Sequence, residues 1–412
     1  MKNNEQGNSV GPAKPKWWTY LGPGIITAAI VFGPSKITIT SKMGASYGYS
    51  LIWLTVVAIG FMIVFTEMAA RIAHAKKESL LQIMRNKWGN TIPVIVGAGI
   101  FLVTTSFQAG NSIGVGISIG EMTGTTPAIW IALFTLAAIS MLFFRSFYKT
   151  LEKCMISLVI LMLLSFIVTF ILSKPSFKDL ASGLVPQIPE GSAPLVIAFT
   201  ASCFSIVAAF YQTYLVQERY KNRPAHSGGY NKAESRPGII LLGVLVIIVM
   251  GCAAAVLHTN NIPVNTAMDM ARALEPLFGE FATLLFLLGL FGASFSSLVG
   301  NAAIGGSLMG DALYNNSSFD FKKNRILIAA VMIIGASIAI IFGKLPLQAI
   351  VIAQSLTIFI VPIIGISLFK IANDKEIMGE LVNTNLQKLI GILGLLLLIT
   401  LAAINAYNLF IR

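Results

Sequence analysis

Eleven apolar runs set what this chain can fold into: 22–44, 49–73, 93–121, 127–145, 154–173, 193–217, 237–258, 281–307, 325–343, 346–370 and 388–410. A helix needs about twenty apolar residues to cross roughly 30 Å of hydrocarbon. Inside hydrocarbon every backbone N–H and C=O must find an internal partner, which a helix provides along its own length. The runs therefore predict an all-α integral membrane protein. Composition agrees: 56% of residues are hydrophobic and 11% charged, against roughly 45–50% and 25% in soluble domains. So few charges leave too little polar surface for a water-soluble globule of 412 residues.

The net charge of +12 would fit a nucleic-acid binder, but its distribution excludes one. Basic residues cluster between runs: Lys14 and Lys16 before the first; His74, Lys76, Lys77, Arg85 and Lys87 after the second; Arg145, Lys149 and Lys153 after the fourth. Arg219, Lys221, Arg223, Lys232 and Arg236 follow the sixth, and Lys322, Lys323 and Arg325 the eighth. All these segments share a side with the amino terminus, while Glu121–Thr126 and Gly343–Pro346 opposite are nearly free of Arg and Lys. The positive-inside rule then puts the amino terminus in the cytoplasm and the carboxyl terminus outside, in a membrane expected to be a bacterial inner (plasma) membrane. Residues 1–20 read as a polar cytoplasmic tail and 21–412 as a single transmembrane domain. Cys154, Cys203 and Cys252 lack paired spacing, and His74, His226 and His258 lie at or beyond helix ends, so no metal-ligand set and no cofactor motif is expected. No nucleophile–base pair appears either, so an enzyme is not expected.

Three local features go beyond a passive bundle. The first run is interrupted near its centre by Gly33-Pro34-Ser35-Lys36; proline removes a backbone donor and glycine adds freedom, so the helix should break or kink there. Broken backbone at membrane depth is tolerated where it is buried in protein or lines a cavity. Lys36 is an ionisable group deep in an apolar run, which costs on the order of 2.5–3.5 kcal/mol and implies an interior partner or cavity. The third run puts Thr104, Gln108, Asn111, Ser112 and Gly116 on one helical face, and the eighth does so with Ser294, Ser297 and Asn301. Such stripes serve as interhelical glue or as a polar path. Gly110, Gly114, Gly116 and Gly120 read as close-packing positions. Tyr20, Glu67 and Asp311 are further polar groups for a gate, with Glu67 the candidate counter-ion of Lys36.

The stretch from Gly22-Pro23-Gly24 to Gly48-Tyr49-Ser50-Leu51 resembles the first span of the NRAMP family of divalent metal transporters. Met68-Ala69-Ala70-Arg71 is similar to the end of that family's second helix, and Leu288-Gly289-Leu290 through Ser296-Ser297 with Gly305–Met309 to its eighth. Gln354, Pro362, Asn373-Asp374 and Ile377–Asn383 are similar to its tenth helix and following loop. The matches run colinearly from about residue 21 to 410. The resemblance implies a LeuT-like fold: two inverted five-helix repeats, about 21–175 and 190–371, with helices 1 and 6 broken at the midplane, and an extra helix at about 388–410. Substrate then sits against the exposed half-helix ends.

Carried over residue by residue, the family's helix 1 motif Asp-Pro-Gly-Asn keeps its proline as Pro34, while the aspartate falls on Gly33 and the asparagine on Lys36. The helix 6 motif Met-Pro-His-Asn falls on Ala209, Phe210, Tyr211 and Gln212, and a second histidine on Val216. The acidic pair of helix 3 falls on Gln108 and Asn111, and a helix 10 glutamine is kept as Gln354. Transition metals favour imidazole, carboxylate or sulfur ligands. An ammonium about 4 Å from a divalent ion would repel it by roughly 8 kcal/mol at an effective dielectric of about 20. The resemblance thus yields a substrate site of Gly33, Pro34, Ser35, Lys36, Ala209, Tyr211, Gln212 and Gln354, with a polar pathway of Thr104, Gln108, Asn111 and Glu67. Three readings stay open: a divalent metal transporter, the same scaffold with a neutral or anionic organic solute held by Lys36, and a non-transporting sensor.

Overall fold

The structure, a computed structural model, describes residues 22–143, 147–220, 230–265, 269, 279–319, 321–342 and 357–410, and their regular elements are all helical. The first run forms two helices, α1 (Gly22–Val31) and α2 (Pro34–Tyr47), bent by 62°. The cause is local. Gly33 is extended at φ −95°, ψ 176°, and Pro34 takes the first position of α2, where its missing N–H costs nothing and its fixed φ suits a helix start. The chain continues through α3 (Ile52–Ala75), a short α4 (Leu80–Trp88) begun by the Ser79 cap, α5 (Thr91–Thr123), α6 (Pro127–Met141), α7 (Phe147–Ser173) and a surface turn, α8 (Phe177–Ser182).

The sixth run is likewise two helices, α9 (Ala193–Cys203) and α10 (Ile206–Tyr220). Next come α11 (Arg236–Ala253), which continues into a π-helical turn at Ala254–His258, α12 (Glu280–Tyr314), α13 (Lys322–Phe342), α14 (Val361–Ala372), α15 (Lys375–Met378) and α16 (Asn385–Phe410). Eight spans among the described residues are long and apolar enough to cross a membrane, α9 and α10 counting together as one (Ala193–Tyr220), and the bent α1–α2 pair makes a ninth. The shorter α6 and α14 fall on the fourth and tenth runs. Only the second half of the tenth run is described, and Gln354 and Tyr20 lie outside the described residues.

The two longest helices, α5 and α12, run through the centre against α1 and α2. Small residues bring them close: a Cβ on Gly114 would strike Ser294 and Pro34, and one on Gly97 would strike Ala312. Where lipid is as apolar as leucine, such close backbone approach is what holds helices together. Phe166 of α7 plugs one flank edge-on to Phe32 and Phe286. Large apolar side chains face outward instead, among them Leu102, Leu136, Leu164, Ile341 and Leu386, the inverse of a soluble surface. The protein is an integral membrane protein.

Candidate solute site at the helix breaks

A cavity of about 50 Å³ lies where the two broken helices face each other, room for a few water molecules or one small group. Gly33, Ser35 and Lys36 reach it from the first break, and Ala201, Ser202, Ser205 and Ala208 from the second. Thr104 and Asn111 come from α5, Ser297 and Asn301 from α12, and Thr357 from before α14.

Lys36 is the charged member, only 2% exposed. Its Nζ donates to Ser202 Oγ at 2.7 Å and lies 5.2 Å from the centroid of the Phe199 ring. The Ser202 hydroxyl donates onward to the Phe199 carbonyl at 3.1 Å. The amine is thus held by a neutral hydroxyl and a ring face, with the Cys203 side chain also beside it, all modest partners for a cation away from water. Among the described residues no carboxylate pairs with it: Glu67 pairs with Arg236, Glu234 with His74 and Asp374 with Lys87. The expected pairing of Lys36 with Glu67 is therefore corrected. Glu67 is oriented toward the amino-terminal end of α11, where Arg236 meets it.

Each break is spanned by a three-residue turn. The Gly33 N–H donates to the Val31 carbonyl at 3.0 Å, and the Ile206 N–H to the Phe204 carbonyl at 2.9 Å. At the end of α1 the carbonyls of Ala29 and Ile30 accept from α12 side chains: Ser296 Oγ to Ala29 at 2.9 Å and Ser297 Oγ to Ile30 at 2.8 Å. The α5 stripe divides its work. Gln108 donates to the Leu298 carbonyl at 2.8 Å and accepts from Asn111 Nδ2 at 3.2 Å, tying α5 to α12, while Thr104 and Asn111 line the cavity.

Other expected site residues lie elsewhere. Pro34 packs on Gly114. Ala209, Tyr211 and Gln212 sit past the first turn of α10, and that first turn is what lines the cavity. Gln212 accepts from Thr27 Oγ1 at 2.6 Å and donates to the Glu234 carbonyl at 3.3 Å. It belongs to a polar layer that closes the basic side of the bundle. The Glu234 carboxylate also accepts from Tyr220 at 2.8 Å and pairs with His74 at 2.9 Å, Arg71 donates to Asn383 at 2.6 Å, and Tyr214 donates to Asp311 at 2.8 Å. Ser202 and Ser205 were not expected at the site. Their signal was two small polar residues, three apart, in the middle of an apolar run.

A membrane bundle whose broken helices turn backbone and polar side chains toward a buried cavity is a solute transporter by architecture. The sequence profile described as natural resistance-associated macrophage protein-like, Nramp, matches residues 24–408, and the chain belongs to that family, whose members are transporters rather than enzymes. It is 23% identical to "Divalent metal cation transporter MntH" of Deinococcus radiodurans over 95% of this chain and 89% of that one. To the Yersinia enterocolitica protein of the same name it is 25% identical, over 94% and 93%. The fold is LeuT-like: it superposes on a crystal structure of a point mutant of the Eremococcus coleocola manganese transporter with a TM-score of 0.76 at 17% identity, covering 97% of this chain and 89% of that one.

Proposed function

We propose that this Nramp-family transporter carries a small solute bearing an anionic or strongly hydrogen-bond-accepting group, held by Lys36. The observation that carries this reading is a buried lysine amine on a cavity whose other described polar lining is hydroxyl, amide and backbone. Lysine is a compact point charge with three donors, and one hydroxyl satisfies a single N–H. A carboxylate entering beside Ser202 and Asn111 would meet the remaining donors. Among the described residues no group of three or more His, Cys, Asp or Glu is placed to hold a metal ion, and an ammonium opposes a divalent cation by several kcal/mol. In this reading the family's metal ligands are replaced at Gly33, Lys36 and Ala209, its helix 3 acids at Gln108 and Asn111, and proton-coupled manganese or iron transport is lost.

A second reading, divalent metal transport, is favoured by the names of the Deinococcus and Yersinia relatives. The two separate in one preparation of proteoliposomes. The anionic reading expects small carboxylates to raise the melting temperature and be taken up, Mn²⁺ to enter no faster than into empty liposomes, and Lys36→Met to abolish the carboxylate shift. Mn²⁺-dependent quenching of an internal dye, with no carboxylate stabilising the protein, would overturn it.

The same reading assigns the pieces of the fold. Repeats at about 21–175 and 190–371 each open on a broken helix, and the helix at about 388–410 is an addition. The membrane is a bacterial plasma membrane, with the amino terminus in the cytoplasm and the carboxyl terminus outside. A carboxyl-terminal alkaline phosphatase fusion, active only outside the cytoplasm, tests that orientation.

A further inference from the structure

On the basic side of the bundle a groove of about 380 Å³ opens between the start of α5 and the end of α12, lined by Arg85, Asn90, Val94, Leu313, Tyr314 and Asn315. That volume falls in the ordinary range of small-ligand sites, roughly 300–1,000 Å³. Part of the work of Arg85 is structural. Its Nη2 donates to the Ala312 carbonyl at 2.6 Å and its Nη1 to Asn315 Oδ1 at 2.6 Å, which caps the last turn of α12. Those acceptors are neutral. Among the described residues the guanidinium has no ion pair, and its Nε–H has no acceptor. The Asp311 carboxylate, in the same turn of α12, accepts from Tyr214. A second cation stands at the rim: Lys323 Nζ lies 4.2 Å from the centroid of the Tyr314 ring, and that ring meets Phe321 edge-on at 6.0 Å. A helix cap accounts for Arg85, but not for Lys323, the tyrosine or the open groove.

We propose that this groove binds the headgroup of an anionic glycerophospholipid. Its depth fits. A Cβ on Gly33, at the helix break, would lie 3.2 Å from Asn111 Oδ1, and one on Gly97 would strike Ala312 beside the groove. Broken helices of this architecture lie near the bilayer midplane. From Asn111 to Gly97, α5 climbs about 21 Å at ~1.5 Å per residue, and half a bilayer with its headgroups is about 20–22 Å. The groove therefore stands at the level of lipid phosphates. Its chemistry fits as well. Arginine offers a planar fork to phosphate and lysine a point charge, and no carboxylate lines the groove among the described residues. Asn90 begins α5 without a side-chain cap, so the amino end of that long helix adds partial positive charge. Basic pockets between membrane helices are read as sites for acidic headgroups, and a tyrosine suits that level. A lipid is favoured over a free phosphate by what lies deeper: Ile95 and Leu102 of α5 and Ile326 and Ile333 of α13 are exposed along the way from the groove to the bilayer centre, where acyl chains would cover them. A phosphate held by Arg85 and Lys323 braces α4 against α12 and α13. This site stands apart from the Lys36 cavity and from whatever that cavity carries.

The test is native mass spectrometry of the delipidated full-length protein, titrated with phosphatidylglycerol or phosphatidylcholine and challenged with inorganic phosphate. One phosphatidylglycerol adduct is expected to form at least fivefold more tightly than its phosphatidylcholine counterpart, and phosphate should not displace it. Arg85→Gln should weaken that first adduct fivefold or more. Should loss of the α12 cap prevent Arg85→Gln from folding, Lys323→Gln decides: this side chain is exposed and caps no helix, and its loss should weaken the adduct about threefold. Lys232→Gln, exposed on the same basic side but outside the groove, should bind as the unaltered protein does. Equal affinity for the two lipids, or unchanged affinity in either folded groove variant, overturns the site. An equal loss in Lys232→Gln assigns the effect to general surface charge, and displacement by phosphate assigns the groove to a free anion; either result overturns the lipid as occupant.

Discussion

The first helix break is written into the chain by Gly33 and Pro34, whereas the second, between Cys203 and Ile206, contains neither glycine nor proline. At the first, backbone oxygens face two serines and a lysine reaches the cavity. At the second the backbone is turned by tertiary contact. Phe204 is fully buried, with ring centroids 5.5 Å from Phe61 and 5.1 Å from Phe65, and Ser205 restarts the helix by accepting from Ala209 through its carbonyl at 2.9 Å. One break therefore supplies the charge, and the other supplies the Ser202 hydroxyl that holds it. Two helix breaks can share the same three-residue turn and still divide the chemistry between them.

Four substitutions probe that division. Lys36→Met should act most strongly: solute uptake into proteoliposomes falls more than a hundredfold. In the same protein, folding stability in detergent rises by about 2–3 kcal/mol, because a buried charge with weak partners is removed. A stability loss with uptake intact would assign the amine to the frame instead of the site. Phe204→Ala should cost about 3 kcal/mol in unfolding measurements by emptying an aromatic position in the core, while solute preference across a carboxylate panel stays unchanged. Gly33→Ala places a methyl against Ser297 and should cost about 1–2 kcal/mol by overpacking, with uptake reduced about tenfold. Smallest is Ser205→Ala, whose long 3.4 Å cap to the Ala208 N–H predicts a loss of about 0.5 kcal/mol and near-normal uptake. If Ser205→Ala injures transport more than Gly33→Ala, the contrast between the breaks is inverted.

What could be read from the chain follows the same contrast. The first break and the burial of Lys36 were legible because glycine, proline and a lone lysine inside an apolar run are local signals. The second break was legible only through the family resemblance, since nothing in Cys203-Phe204-Ser205 forbids a helix until Phe204 meets Phe61 and Phe65. That is also why Ala209, Tyr211 and Gln212 were expected at the cavity: carried over from the family's helix 6 motif without the restart of α10 at Ile206, they land a turn too far along. The partner of Glu67 was illegible for another reason. Arg236 is 169 residues away, and helical spacing carries no information across that distance.

The seam between α1 and α11 has a mechanical consequence. A Cβ on Gly238 would run into the backbone of Gly24, and one on Gly24 would lie 2.8 Å from the Glu234 and Ser235 carbonyls. Main chain therefore abuts main chain, with no side chains interlocked at that point. As a ten-residue rod, α1 is about 15 Å long, so a pivot of roughly 20° at Phe32 and Gly33 would carry its far tip about 5 Å. Such surfaces can part and re-seat without rotamer changes, and the polar bonds through Thr27 and Gln212 are among those that would have to break. The lever is stiff, and its fulcrum would be the same Gly-Pro pair that sets the 62° bend.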